Sequence, residues 1–125
     1  MRVARHPEGV LKPRGPYSPA VIASGRLIFT ASQGTIDPTT GKEPPGGIQA
    51  EARQALSNIR AIVEGCGGSL TNAVKVQLFL RDMSDFAAVN EVYAEFFPEP
   101  RPARTTIQSN IAYSLAIDVV VALDV

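Results

Sequence analysis

Apolar and polar positions alternate along 74–81 with the period of a β-strand. Val74, Val76, Leu78 and Leu80 fall on one side, and Lys75, Gln77, Phe79 and Arg81 on the other. One side of such a strand packs and the other is partly wet. Over 48–66 the period changes. Ile48, Ala52, Ala55, Ile59, Ile62 and Cys66 recur at helical spacing, widened by Leu56 and Val63, while Glu51, Arg53, Asn58 and Arg60 lie off the stripe. The pattern predicts an amphipathic helix, with Gly67-Gly68 as its stop.

A second helix is expected after Ser84, which would cap it, with Asp85 in the first turn where a carboxylate suits the helix dipole. Its stripe is Phe86, Val89, Tyr93, Phe96 and Phe97, and Pro98 ends it. Upstream, the apolar runs Ala20-Val21-Ile22-Ala23 and Leu27-Ile28-Phe29-Thr30 flank Ser24-Gly25-Arg26, the pattern of a hairpin. Asp37-Pro38-Thr39-Thr40-Gly41 and Pro44-Pro45-Gly46-Gly47 mark a loop. The stretch before Tyr17 offers an edge strand, interrupted by Pro7 and Pro13. Strands near 104–109 and 115–125 close the chain. The order β-β-α-β-α-β-β predicts an α+β sheet with both helices on one face. Its other face needs cover, and subunit association is the simplest cover.

Composition narrows the function classes. The 125 residues, 45% of them hydrophobic, suit a single globular domain over 1–125. Twelve basic side chains balance twelve acidic ones, and no Lys/Arg cluster supplies a nucleic-acid footprint. No apolar run approaches the roughly 20 residues that span a bilayer, and the N-terminus lacks a signal-peptide core. A soluble, cytoplasmic protein is expected. The single cysteine, Cys66, makes neither an intrachain disulfide nor a zinc site by itself, and its place on the helix stripe predicts a core residue. His6, the one histidine, gives no basis for a His-centred triad.

Four residues invite chemistry. Arg104 follows Pro98-Glu99-Pro100-Arg101-Pro102-Ala103 and opens a β-like run, so the backbone aims its planar fork. That fork suits a carboxylate, although a salt bridge with Asp118, Glu99 or another acid would also explain it. Asp118 is the lone charge in the apolar run 115–123 and shares a face with Ala116, Val120 and Ala122. It is either paired at a strand edge or an acid or base facing a small pocket. Asn90 lies on the second helix's stripe, where its amide needs partners, structural or in a site. Tyr17, held between prolines, is an aromatic plug or a site wall.

Taken in order, several segments together resemble the Rid/YjgF family of small imine deaminases. They include Gly15-Pro16-Tyr17, Leu27-Ile28-Phe29-Thr30, Asp37-Pro38-Thr39-Thr40-Gly41, Gln49-Ala50-Glu51-Ala52-Arg53-Gln54-Ala55-Leu56, Val89-Asn90, Tyr93, Phe96-Phe97 and Pro102-Ala103-Arg104. The resemblance implies a chorismate-mutase-like α+β fold and a homotrimer whose sheets form a barrel, with sites between subunits. It implies hydrolysis of 2-imino and enamine acids such as 2-iminopropanoate and 2-iminobutanoate, without metal or cofactor. Arg104 would bind the substrate carboxylate, Tyr17 and Asn90 would line the cleft, and Asp118 would stand where the family has a water-activating glutamate. Three positions depart from the family pattern. Asp118 is one methylene shorter, Ala31-Ser32 replaces a Ser-Gly pair, and Thr106 stands where several members have cysteine, so Ala31, Ser32 and Thr106 are candidate pocket residues. A larger imine acid, or a non-catalytic role binding small carboxylates, are the alternatives that these departures leave open.

Overall fold

The computed structural model describes residues 1–125. Its strands are β1 (Arg2–Arg5), β2 (Ala20–Ala23), β3 (Leu27–Phe29), β4 (Ala73–Leu80), β5 (Ala103–Gln108) and β6 (Leu115–Ala122); its helices are α1 (Ile48–Gly65) and α2 (Phe86–Phe96). The alternating pattern of β4 makes it the axis of the main sheet. It pairs antiparallel with β6 and parallel with β5, and β6 pairs with β3, giving the order β3-β6-β4-β5. Val76, Leu78 and Leu80 are buried and Gln77 is exposed, as the alternation requires.

Both β3-α1-β4 and β4-α2-β5 are crossovers between parallel strands, and both step across the sheet in the same direction. Right-handed crossovers of that kind put both helices on one face. There, Ala52, Ala55, Leu56, Ile59 and Val63 of α1 meet Val89, Val92 and Tyr93 of α2 and the inner residues of β4 and β6 in one core. The opposite face is open: Phe29, across from Val120, is 72% exposed, and Ile107, across from Phe79, is 46% exposed.

Three local expectations are corrected. The runs 20–23 and 27–30 do not form a hairpin with each other: β2 pairs with β1, and β3 pairs with β6. Gly25, at φ 95°, turns the chain from one pairing to the other. Ser84 does not cap the second helix. Instead Asp82 accepts from the Ser84 N–H at 2.9 Å, starting a single 3₁₀ turn at Met83–Asp85 that runs into α2. Cys66 is exposed rather than core, because α1 ends at Gly65 and the stripe stops one turn short of it.

Candidate active site

The segment before β5 decides what Arg104 can touch. Arg101 is already engaged, with Nε donating to the Phe97 carbonyl at 3.1 Å and a guanidinium nitrogen 3.4 Å from Glu99. Glu99 therefore serves Arg101. The Ser18 N–H donates to the Pro102 carbonyl at 3.0 Å, which draws the Gly15-Pro16-Tyr17 turn against the start of β5.

Arg104 stands across the ladder from Val76, so it points to the helix-covered side of the sheet. Its guanidinium carbon lies 4.7 Å from the centroid of Tyr93 and 5.5 Å from those of Tyr17 and Phe86. Each ring offers a negative face to the cation. All three guanidinium nitrogens are shut off from solvent, and none makes a well-aligned hydrogen bond, though the Tyr93 hydroxyl lies close enough to support the cation. No acid pairs with Arg104, which removes the salt bridges to Asp118 and Glu99 as its explanation. Burial lowers its pKa, opposed by Tyr93 and Tyr17, yet a guanidinium stays protonated in any ordinary buffer. The result is a caged cation with unused donors.

Two neighbours share this condition. Asn90 and Tyr93 sit three residues apart on one face of α2, and the Asn90 Oδ1 and Tyr93 hydroxyl are likewise buried without partners. Burial pushes the Tyr93 phenol above its ordinary range despite the nearby charge of Arg104. Gly15 closes the group from above. A Cβ built there would lie 3.2 Å from Arg104 Nη2 and 3.3 Å from Asn90 Nδ2. The strap that carries Gly15 is held lightly: between residues 6 and 17 every hydrogen bond stays inside the segment, as in Arg14 N–H to the Tyr17 hydroxyl at 3.2 Å. Beside it opens a cavity of about 620 Å³, lined in part by Lys12, Gly15, Tyr17, Glu99 and Arg101.

Thr106 stands across from buried Leu78, on the same face as Arg104 and two residues along β5. The remaining candidates lie elsewhere. Asp118 stands across from exposed Gln77, on the open face. It is half-buried, makes no ion pair, and burial raises its pKa. The Thr30 N–H donates to the Val119 carbonyl at 3.1 Å, which sets exposed Ala31 and Ser32 at the β6 side of the sheet, near Asp118 along the strand. One chain thus carries two groups: Tyr17, Asn90, Arg104 and Thr106 by β5, and Ala31, Ser32 and Asp118 by β3 and β6.

Phe86, Tyr93 and Gly15 join the first group although the sequence pattern assigned the two aromatics to the core. The available signal was a tyrosine one helical turn after Asn90, in a stripe where phenylalanine would pack equally well.

An α+β sheet covered by helices on one side, with a caged arginine where α2 meets β5, now stands beside known proteins. The family model described as Endoribonuclease L-PSP matches residues 8–122. A RutC family protein of Pyrococcus horikoshii is 50% identical over 101 residues, covering 81% of this chain and 79% of the relative. The 2-iminobutanoate/2-iminopropanoate deaminase of Capra hircus is 45% identical over 94 residues, covering 75% and 68%. Among solved structures, TdcF of E. coli with bound serine is 31% identical at a TM-score of 0.72, covering 96% of this chain and 98% of that one. The chain belongs to the Rid/YjgF family, and its fold is the α+β fold of the YjgF and RidA structures.

Proposed function

We propose that this protein hydrolyses small 2-imino acids, and their enamine tautomers, to 2-oxo acids and ammonia. The observation that carries the proposal is Arg104: a buried guanidinium, caged by three rings, with no partner inside the chain. Enclosing a cation this way is costly unless an anion completes it, and its fork matches a carboxylate with two parallel hydrogen bonds. Relatives named as imine deaminases, and TdcF with its bound serine, support a ligand bearing a carboxylate beside a nitrogen-bearing carbon.

In this scheme Arg104 holds the carboxylate, Tyr17 and Asn90 flank the chain, and Thr106 borders the pocket. Water adds to the C=N carbon while Asp118 accepts its proton. The nitrogen then takes up protons and leaves as ammonia as the C=O bond forms. The imine is already electrophilic, so positioning and general-base help of about 10²–10⁴-fold suffice. Because Asp118 and Ala31-Ser32 lie apart from Arg104 in one chain, the working site joins the two groups from neighbouring copies, which also covers the open sheet face. A homotrimer with a site at each interface meets both needs.

The same separation favours a second reading, in which the chain binds small carboxylates without chemistry. Release of ammonia from freshly generated 2-iminobutanoate decides between them: acceleration above the spontaneous rate supports the deaminase. Tight binding of 2-oxobutanoate with no acceleration supports the binder.

A further inference from the structure

Tyr93 carries a hydroxyl that the fold itself does not require. Its ring is fully buried, stacks on Phe97 at a centroid distance of 4.5 Å, and lies under the Arg104 guanidinium. A phenylalanine would make the same stack and much the same contact with the cation. The hydroxyl oxygen is shut off from solvent and makes no well-aligned hydrogen bond, with only a loose contact to the Arg104 guanidinium, and leaving a buried hydroxyl poorly paired is destabilising.

Resting on the carboxylate-binding role of Arg104, we propose that the Tyr93 hydroxyl is a second donor to the bound carboxylate. Arg104 fills two lone pairs with its fork, and a carboxylate, which only accepts, has others to fill. Tyr93 is suited to supply that bond because burial keeps its phenol protonated across the working range. Its unpaired oxygen does not stand alone. Asn90 on the same helix face and Arg104 beside it also carry buried polar atoms without well-aligned partners, and the Asn90 amide and Arg104 guanidinium both approach Gly15. Of the seven buried side-chain atoms without such a partner, five belong to Asn90, Tyr93 and Arg104, and the other two are the hydroxyls of Thr35 and Ser114.

The test compares wild type, Tyr93→Phe and Arg104→Ala by melting without ligand and by calorimetric titration with 2-oxobutanoate, the stable product of the proposed reaction. Tyr93→Phe is expected to melt at or above wild type, since an unsatisfied hydroxyl is gone, while its Kd rises about 10- to 100-fold. A lower melting temperature with an unchanged Kd overturns the inference and makes the hydroxyl structural. Arg104→Ala separates the two levels. If it loses 2-oxobutanoate while Tyr93→Phe binds like wild type, only the role of Tyr93 fails. If both bind like wild type, the carboxylate site itself is wrong.

Discussion

Arg104 and Asp118 leave the sheet on opposite faces. Arg104 of β5 stands across the ladder from Val76 of β4, whose side chain is in the core, and Asp118 of β6 stands across from the next β4 residue, Gln77, on the open side. Directly paired residues share a face, and successive ones alternate. Their strands are also two spacings apart, roughly 10 Å. A site that uses both residues draws them from different copies of the chain.

Sharing of that kind has a direct consequence. Arg104→Ala and Asp118→Asn are each expected to fall about 10²-fold or more below wild type alone. Unfolded together and refolded as mixed oligomers at equal ratio, they should regain about a quarter of wild-type activity, because that share of interfaces pairs two intact halves. No recovery in oligomers shown to be mixed would mean that each chain works alone.

Asp118 should set the acid limb of activity. Burial raises its pKa, and a base must be ionised, so the rate falls as pH drops through a value above the ordinary aspartate range. Stability moves the other way. The native chain holds this proton more tightly than the unfolded one, so Asp118 costs stability as pH rises through that interval, and the full cost remains above it. Asp118→Asn should therefore raise the melting temperature at neutral pH but not in strong acid. It should slow imine hydrolysis about 10²–10⁴-fold. Steady-state rates and melting curves across pH check both signs.

Gly15 is expected to be intolerant of even one methyl group. Alanine there would press on Arg104 Nη2 at 3.2 Å and Asn90 Nδ2 at 3.3 Å. Displacing a clamp by a fraction of an ångström should lower kcat/KM about tenfold or more, with circular dichroism unchanged. Wild-type kinetics in Gly15→Ala would show that the strap does not rest on the functional form of the site.

Much of this architecture was legible in the chain. The period of 74–81 gave β4 its faces, and the stripe of 48–63 gave α1 its buried side, because burial acts on every residue of a regular element. Strand partners were less legible. Ala20–Ala23 and Leu27–Phe29 look like a hairpin locally, but β3 is claimed by β6 more than 90 residues away, a contact no local pattern encodes. Arg104 stood out through its setting between a proline-rich turn and a strand. Tyr93 did not, since a buried aromatic on a helix stripe is indistinguishable from core until its hydroxyl is seen without a partner. The split of Arg104 from Asp118 needed the register across β4.

The turn after α1 offers a check on packing that leaves the site alone. A Cβ on Gly68 would come 2.7 Å from Ile28 Cδ1 and 3.3 Å from Val63 Cγ1, both core side chains. Gly68→Ala should cost about 1–3 kcal/mol of unfolding free energy in a urea titration. A variant as stable as wild type would mean that the core beneath this turn is looser than its geometry.

The most direct measurement is the rate of ammonia release from 2-iminobutanoate, generated in place, with wild type and Arg104→Ala compared at equal folded concentration. Acceleration by wild type and its loss in Arg104→Ala, with the melting temperature kept, is the expected result. Equal acceleration by both proteins would contradict it, because the caged guanidinium would then have no part in the chemistry.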